Sequence, residues 1–365
     1  MGATVKQQGR LAGLDALRGL AALGVLFWHY GAHFNATPLA DWLSPFYNAG
    51  LYLVDVFFVL SGFLLGTLYS EPSSWRAFLF KRMTRLFPLH WVTLLVVAVL
   101  QHWYTQVTGT GFIYTYNDSS HFFLNLGLLQ YVGLQEGFSF NGPAWSISVG
   151  WLVNLIFVML LLLPRLRGAL TATLVIGSAT SLWFLGGRVI ESSSLWGWLD
   201  PALVRGVFGF FTGVGLASIM QSKPALSHLW DGIGLTAGAT LIVFMNNREL
   251  QQMSGVDFAI VGLAIPGMVA GFIRGVTLVR VSQWRGLVWL GEVSFSVYLW
   301  HFPAQIVMGM IVACGTEIQF TSTWVLVGFI TTCYVVGHLS FVFLERPAQR
   351  FATESKAGQW FFRKG

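Results

Sequence analysis

Ten apolar segments, each long enough to cross a lipid bilayer as a helix, occupy most of this chain and limit what it can fold into. An α-helix rises about 1.5 Å per residue, so about 20 apolar residues span the hydrocarbon core. The segments lie near residues 13–33, 50–69, 86–105, 145–163, 169–186, 203–220, 229–245, 257–274, 288–311 and 323–344. We therefore predict an all-α polytopic membrane protein with about ten transmembrane helices.

The composition and the placement of the charged residues agree with this fold class. Hydrophobic residues make up 55% of the sequence and charged residues 10%, which excludes a soluble globular domain. Most of the 21 Lys and Arg residues fall on the same side of the predicted spans as the amino terminus, whereas Arg188, Arg205 and Arg248 fall on the other side. The positive-inside rule then predicts that both termini are cytoplasmic and that the protein lies in the cell inner membrane. Because topology accounts for the basic charge, we expect no nucleic-acid partner.

The predicted spans leave little of the chain outside the membrane. We expect residues 1–350 to form one ten-helix membrane domain and residues 351–365 to form a short basic cytoplasmic tail, with no attached soluble domain. Any chemistry must then use the side chains of the helix bundle and its loops.

The first span carries a row of polar residues in an otherwise apolar helix. Arg18 and His29 are eleven residues apart, almost three helical turns, so they share a face and lie about 16 Å apart along the axis. Asp15 lies three residues before Arg18, on the same side. An ionisable group at mid-bilayer costs about 2.5–3.5 kcal/mol on insertion scales, so the row indicates a function.

This row allows more than one interpretation. His29 suits a general base near neutral pH, although a membrane histidine also commonly joins two helices by a hydrogen bond. His33 follows four residues later, but no third ligand lies nearby in sequence, and we expect no metal. The same row could also serve a transporter as an ion or proton relay.

Further polar residues lie at the ends of other spans. Arg82 and Arg85 form an R-x-x-R pair whose guanidinium groups, one turn apart, suit the phosphates of a nucleotide-like ligand, although positive-inside flanking explains them as well. The other candidates are two intramembrane carboxylates, a Trp-Ser pair, and a tyrosine and histidine three residues apart: Asp55, Glu292, Trp145, Ser146, Tyr298 and His301.

Six segments, taken in order, resemble the landmarks of one family. They are LDALRGLAALGVLFWH, VDVFFVLSGFLLG, KRMTRLFP, PAWSISVGW, SFSVYLWHFP and LERPAQRF, and they extend over residues 11–351. Together they resemble the membrane-bound acyltransferase-3 family, which transfers acyl groups to carbohydrates and related acceptors. The resemblance is to members without an attached soluble domain.

The resemblance implies roles for several residues. His29 is expected to be catalytic with Arg18 as its partner, and Arg82 and Arg85 to help hold the acyl donor. We add Asp15 to the catalytic group, Tyr298 and His301 to the donor site, and Asp55, Trp145, Ser146 and Glu292 to the acceptor site. The expected co-substrate is acyl-coenzyme A, with acetyl-coenzyme A as the default. The expected partners are the bilayer and a carbohydrate or glycosylated acceptor, and a homo-oligomer stays open.

One position departs from the family pattern. The mid-chain motif usually continues WSxSxE, whereas this chain has Gly150 at the acidic position. Either the carboxylate is not essential here, or the protein is impaired, or the residue was changed; Asp15, Asp55 or Glu292 could replace its charge. We expect an integral membrane O-acyltransferase with His29 as general base. The alternative is a polytopic transporter or exporter in which Asp15, Arg18 and His29 relay ions or protons.

Overall fold

The computed structural model describes residues 2–69, 74–190, 200–220 and 226–354, and within them all regular structure is helical. Residues 355–365 of the predicted tail lie outside this part of the chain. The α-helices, in chain order, are α1 (Gly2–Phe34), α2 (Ala40–Ala49), α3 (Leu53–Leu68), α4 (Trp75–Thr108), α5 (Ser119–Leu126), α6 (Trp145–Leu162), α7 (Arg167–Gly186), α8 (Pro201–Ile219), α9 (His228–Asn246), α10 (Arg248–Gln252), α11 (Val256–Ala259), α12 (Ile265–Arg274), α13 (Val276–Ser282), α14 (Arg285–Ala313), α15 (Thr323–Ser340) and α16 (Arg346–Glu354).

The structure confirms an all-α polytopic membrane protein. Among the described residues, nine helices are long and apolar enough to cross a membrane. The first predicted span, in α1, is not among these nine, so a tenth span stays a prediction. The boundary predicted at residues 350 and 351 falls within α16, so the chain does not leave its helix there.

Helices α1 and α14 run parallel and pack closely along their length. A β-carbon at Gly291 of α14 would collide with the backbone of Asp15, and one at Gly19 would collide with Leu290. Further along the same pair, the ring of His29 contacts that of His301. Membrane helices approach this closely where small residues remove side-chain bulk. The contact therefore fixes the register of the two helices, so that each polar residue of α1 lies beside a specific residue of α14.

Helices α3 and α8 also run parallel, and a buried ion pair joins them. The Nε of Arg205 donates to Asp55 Oδ1 at 2.9 Å and its Nη2 to Oδ2 at 2.7 Å, while Nη2 also donates to the Leu51 carbonyl at 2.9 Å. Asp55 has no exposed surface. The rings of Trp145 and Tyr52 lie 5.3 and 6.0 Å from the guanidinium carbon. This two-point pairing satisfies both charges away from water.

The ion pair bears on two of the sequence predictions. The sequence analysis predicts Asp55 at the acceptor site, but both of its oxygens are bound to Arg205, because a carboxylate inside the bundle needs a cation beside it. Trp145 contacts the same guanidinium. We assign to both residues the structural role of holding α3, α6 and α8 together.

We predict that Asp55→Leu and Arg205→Leu each destabilise the protein by about 3–5 kcal/mol, because each leaves a buried charge without its partner. The double variant should be more stable than either single variant, since it buries no charge. Thermal unfolding of the purified protein in detergent measures this cycle.

The control is Asp41→Leu, which removes an exposed carboxylate at the start of α2 and should leave the melting temperature unchanged. Single variants as stable as the wild type would show that the pair does not hold α3 to α8.

Candidate functional site

A cavity of about 140 Å³ lies among α1, α3, α4, α6, α8 and α14. Its polar side consists of three arginines, Arg18, Arg82 and Arg85, on α1 and α4. The lining residues from α3, α6 and α8 are largely apolar. The residues lining it are Arg18, Phe57, Phe58, Ser61, Leu64, Arg82, Arg85, Leu86, Ser146, Ile147, Gly150, Val153, Asn154, Phe210, Ser294, Phe295 and Tyr298.

The arginine end of the cavity has more cationic than anionic groups. Arg18 donates to Asp15 Oδ1 at 2.9 Å, which fixes its orientation toward the cavity. Across the described ranges, Arg82 and Arg85 donate no hydrogen bond to a protein acceptor, and Arg82 Nε is buried without a partner. A half-buried guanidinium without an acceptor favours an anionic ligand that accepts its hydrogen bonds.

Glu345 compensates part of this positive charge. It lies in a π-helical turn, Phe341–Glu345, is buried, and attracts Arg85 electrostatically. Ser296 donates to its Oε2 at 2.8 Å and Gln349 to its Oε1 at 3.0 Å. Ser296 of α14 and Gln349 of α16 thus hold Glu345 in place. This end of the cavity then has three arginines and two carboxylates, Glu345 beside Arg85 and Asp15 beside Arg18.

The opposite end of the cavity has two linked hydroxyl groups. The Tyr298 hydroxyl donates to the Pro143 carbonyl at 2.7 Å, so the Ser146 hydroxyl, 2.8 Å away, donates to the tyrosine oxygen. Ser146 lies in the first turn of α6 and Tyr298 lies in the middle of α14. These hydroxyls therefore connect the cavity to the histidines on the same stretch of α14.

Three histidines cluster beyond this end of the cavity. The ring of His29 lies 4.7 Å from that of His301 and 5.1 Å from that of His33. The ring of His301 lies 5.5 Å from the Tyr298 ring, and its Nδ1 donates to the Tyr298 carbonyl. His33 Nδ1 lies 2.9 Å from Gln305 Oε1. Parallel packing of α1 and α14 brings the cluster together. His29 and His33 lie one turn apart on the face of α1 that meets α14, and His301 and Gln305 lie one turn apart on the facing side of α14.

Several polar atoms of this cluster are buried without a partner. His29 Nδ1, His301 Nε2 and Gln305 Nε2 have no hydrogen-bond partner among the described residues. Buried polar groups are nearly always paired, and leaving one unpaired costs about 1–3 kcal/mol. Three such atoms around two adjacent imidazoles indicate a place where a polar ligand or water binds.

The loop between α4 and α6 covers the histidine cluster from outside the bundle. Gln101 of α4 bonds both the N–H and the carbonyl of Phe112, at 2.8 and 3.0 Å. Asn117 accepts from Phe140 N–H at 2.8 Å. The loop is thereby held with the Tyr114 ring 6.1 Å from that of His33. Burial raises the pKa of Tyr114, so its phenol stays neutral at physiological pH.

An exposed polar group lies on the same loop. Tyr116 stacks on His121 with ring centres 5.3 Å apart, and Asp118 begins α5 between them. The hydrogen bond from Ser120, together with that from the His121 N–H, lowers the pKa of the Asp118 carboxyl, which therefore stays ionised. The loop thus presents an aromatic face beside a fixed negative charge.

The structure brings together some of the residues that the sequence singled out. Arg18, Arg82, Arg85, Ser146 and Tyr298 line one cavity, Asp15 bonds to Arg18, and His29 and His301 lie beyond Tyr298. The sequence analysis predicts that His301 binds the donor with Tyr298, yet its ring lies against that of His29.

Glu292 does not line this cavity, and its place at the acceptor site stays a prediction. Its side chain is exposed on the outside of the bundle, because its neighbour Gly291 faces α1. Sequence reasoning missed Gln305 and Glu345. Gln305 follows one landmark motif by a few residues and Glu345 lies within another, and a buried polar residue on a membrane helix is the signal that marks both.

No metal centre is evident in the described part of the chain. No group of three or more His, Cys, Asp or Glu residues there could hold a metal ion. The three clustered imidazoles instead contact one another through their rings, which are inclined by 40° and 56°.

Comparison with known proteins finds similarity to acyltransferases. The family described as "Acyltransferase domain" matches residues 11–339. The chain is 25% identical to an acyltransferase of Streptomyces mycarofaciens, MdmB, over 93% of this chain and 92% of that protein. No solved structure is significantly similar to the chain.

Two peptidoglycan-related proteins are also similar. The chain is 25% identical to YrhL of Bacillus subtilis, named as a candidate peptidoglycan O-acetyltransferase, over 92% of this chain and 54% of that protein. It is 21% identical to the peptidoglycan O-acetyltransferase OatA of Listeria monocytogenes, over 92% of this chain and 55% of that protein. The chain therefore spans about half the length of these two relatives.

Proposed function

The chain belongs to the acyltransferase-domain family, and from this premise we propose that it is an integral membrane O-acyltransferase that uses acyl-coenzyme A. The acyl group passes from the cytoplasmic thioester to a hydroxyl of a carbohydrate or glycosylated acceptor. The observation that carries the proposal is one row of polar groups with an excess of arginines at one end and imidazole nitrogens without a protein partner at the other, among the described residues.

The donor enters at the arginine end, which corresponds to the cytoplasmic side of the predicted topology. Arg82 and Arg85 bind its phosphates, and Arg18, oriented by Asp15, faces the same cavity. Guanidinium groups suit phosphate oxygens because their planar donors form paired hydrogen bonds. The excess of cations over carboxylates at this end supports the assignment.

His29 acts as the general base. It accepts the proton of the acceptor hydroxyl while the hydroxyl oxygen attacks the thioester carbonyl carbon. The carbon–oxygen bond forms, the carbon–sulfur bond breaks, and the thiolate takes the proton from the imidazolium. Because His301 Nδ1 donates to the Tyr298 carbonyl, its Nε2 is left as a hydrogen-bond acceptor, and the two rings lie 4.7 Å apart.

The acceptor approaches from the side covered by the loop between α4 and α6. His33 and Tyr114 lie there beside the catalytic group, and the loop carries aromatic faces next to carboxylate and amide groups, which suit a sugar. The relatives named as peptidoglycan O-acetyltransferases support a carbohydrate acceptor.

We predict that His29→Ala lowers acyl transfer by about 10²–10⁴-fold, the usual contribution of general-base catalysis. The assay follows radiolabelled acetyl from acetyl-coenzyme A to peptidoglycan fragments, using the purified protein in lipid nanodiscs. Donor affinity should change little, because His29 does not line the donor cavity.

The control for this experiment is His102→Ala, an exposed histidine on α4 that should retain the full rate. Transfer by the His29 variant at the rate of the wild type would refute the role of His29 as base.

We predict that Arg82→Ala and Arg85→Ala each weaken binding of coenzyme A by about tenfold or more, since a charge-assisted hydrogen bond contributes about 1.5–3 kcal/mol. The loss should appear mainly in the dissociation constant and in KM. Isothermal titration with coenzyme A at two salt concentrations measures it.

Arg76→Ala is the matched control, because Arg76 lies on the first turn of the same helix but is exposed and outside the cavity. Equal affinities in the wild type and the Arg82 and Arg85 variants would reject the phosphate assignment.

A further inference from the structure

We propose that the apolar side of the cavity, open at Gly150, holds the acyl chain of the donor, and that this chain has about four to six carbons, the size of ligand that a comparable apolar cavity accepts. The inference rests on the proposed function, because it names the acyl group that the same site transfers. It differs from the default expectation of acetyl.

Gly150 lies in the middle of α6, one turn after Ser146, on the wall of the cavity. A β-carbon there would meet no atom within 4 Å, whereas at Gly62 or Gly213 it would collide with the neighbouring helix. Close helix packing therefore does not require glycine at position 150. A mid-helix glycine costs up to about 1 kcal/mol relative to alanine, and what it provides here is open space.

The wall around this space has an apolar side. Phe57, Leu64, Ile147, Val153 and Phe210 line it, from α3, α6 and α8. The pantetheine arm of the donor carries two amides, and a buried amide without a hydrogen bond is costly. A hydrocarbon chain needs no such partner, so this side fits the acyl chain better than it fits the arm.

The size and position of the space set the chain length. The whole cavity, including its arginines, has a volume of about 140 Å³, close to that of an engineered apolar cavity of about 150 Å³ that binds benzene, so its apolar side has room for a chain of at most about six carbons. Ser146, Gly150 and Asn154 follow at four-residue spacing on one face of α6, over about 12 Å. The apolar section thus begins near the hydroxyl pair and ends at the polar Asn154.

The experiment measures binding and transfer with acetyl-, butyryl-, hexanoyl- and decanoyl-coenzyme A. We expect the wild type to bind butyryl- and hexanoyl-coenzyme A more tightly than acetyl-coenzyme A, and to lose affinity again at decanoyl. In Gly150→Val, the affinity for hexanoyl relative to acetyl should fall at least about tenfold, because a misfit of one methylene or more in an apolar pocket has this effect. Gly150→Ala should lower the same relative affinity by a smaller factor. This variant replaces Gly150→Val if the valine variant does not fold.

Gly177→Val is the matched control. Gly177 is also a mid-helix glycine where an added β-carbon would meet no atom within 4 Å, but it lies on the exposed face of α7, away from the cavity. This variant should keep the wild-type order of chain lengths.

Three results would overturn the inference. They are equal affinity for all chain lengths in the wild type, a preference for acetyl, and an unchanged chain-length order in both Gly150 variants. Binding is measured without an acceptor, so the proposed function is judged separately. A wild type that prefers hexanoyl-coenzyme A but transfers no acyl group would leave the inference standing and refute the acyltransferase proposal.

Discussion

The structure depends on the requirement that polar groups inside a bilayer find partners within the protein. The described residues meet this requirement unevenly. Asp55 and Arg205 pair with each other at two points, and Asp231 accepts from the backbone N–H groups of Val276, Thr277 and Leu278 that begin α13. These groups stabilise the bundle and, being paired already, offer little to a ligand.

A second set of polar groups is left incomplete, and part of it lies along α1, α4 and α14. Arg82 Nε at one end and the imidazoles of His29 and His301 at the other have nitrogens without protein partners in the part of the chain that is described. The same energetic cost that pairs Asp55 with Arg205 makes these residues the candidate site. Where the cost is not met within the chain, a ligand that supplies the missing partners gains affinity.

The parallel contact of α1 and α14 determines how the two ends of the site relate. Because Gly291 lets the backbones touch near Asp15, the register of the pair places His301 opposite His29 and Gln305 opposite His33. Arg18 consequently lies at the depth of the arginine cavity and His29 lies near the covering loop. In the proposed reaction, the donor and the acceptor meet along this helix.

The sequence by itself determined the class of fold, the positions of the long helices and the polar row of α1, because a span length and a helical period are local properties of the chain. It also indicated the arginine pair on α4. Only the tertiary structure decided which polar residues act together. Asp55 and Trp145 contact Arg205, and Glu292 is exposed. The His301 ring lies beside that of His29 and not in the lining of the cavity. Gln305 and Glu345 contact the candidate site. These outcomes depend on helix register and on which face of each helix meets which neighbour. Such contacts join residues from 49 to 272 positions apart, beyond the reach of any local pattern.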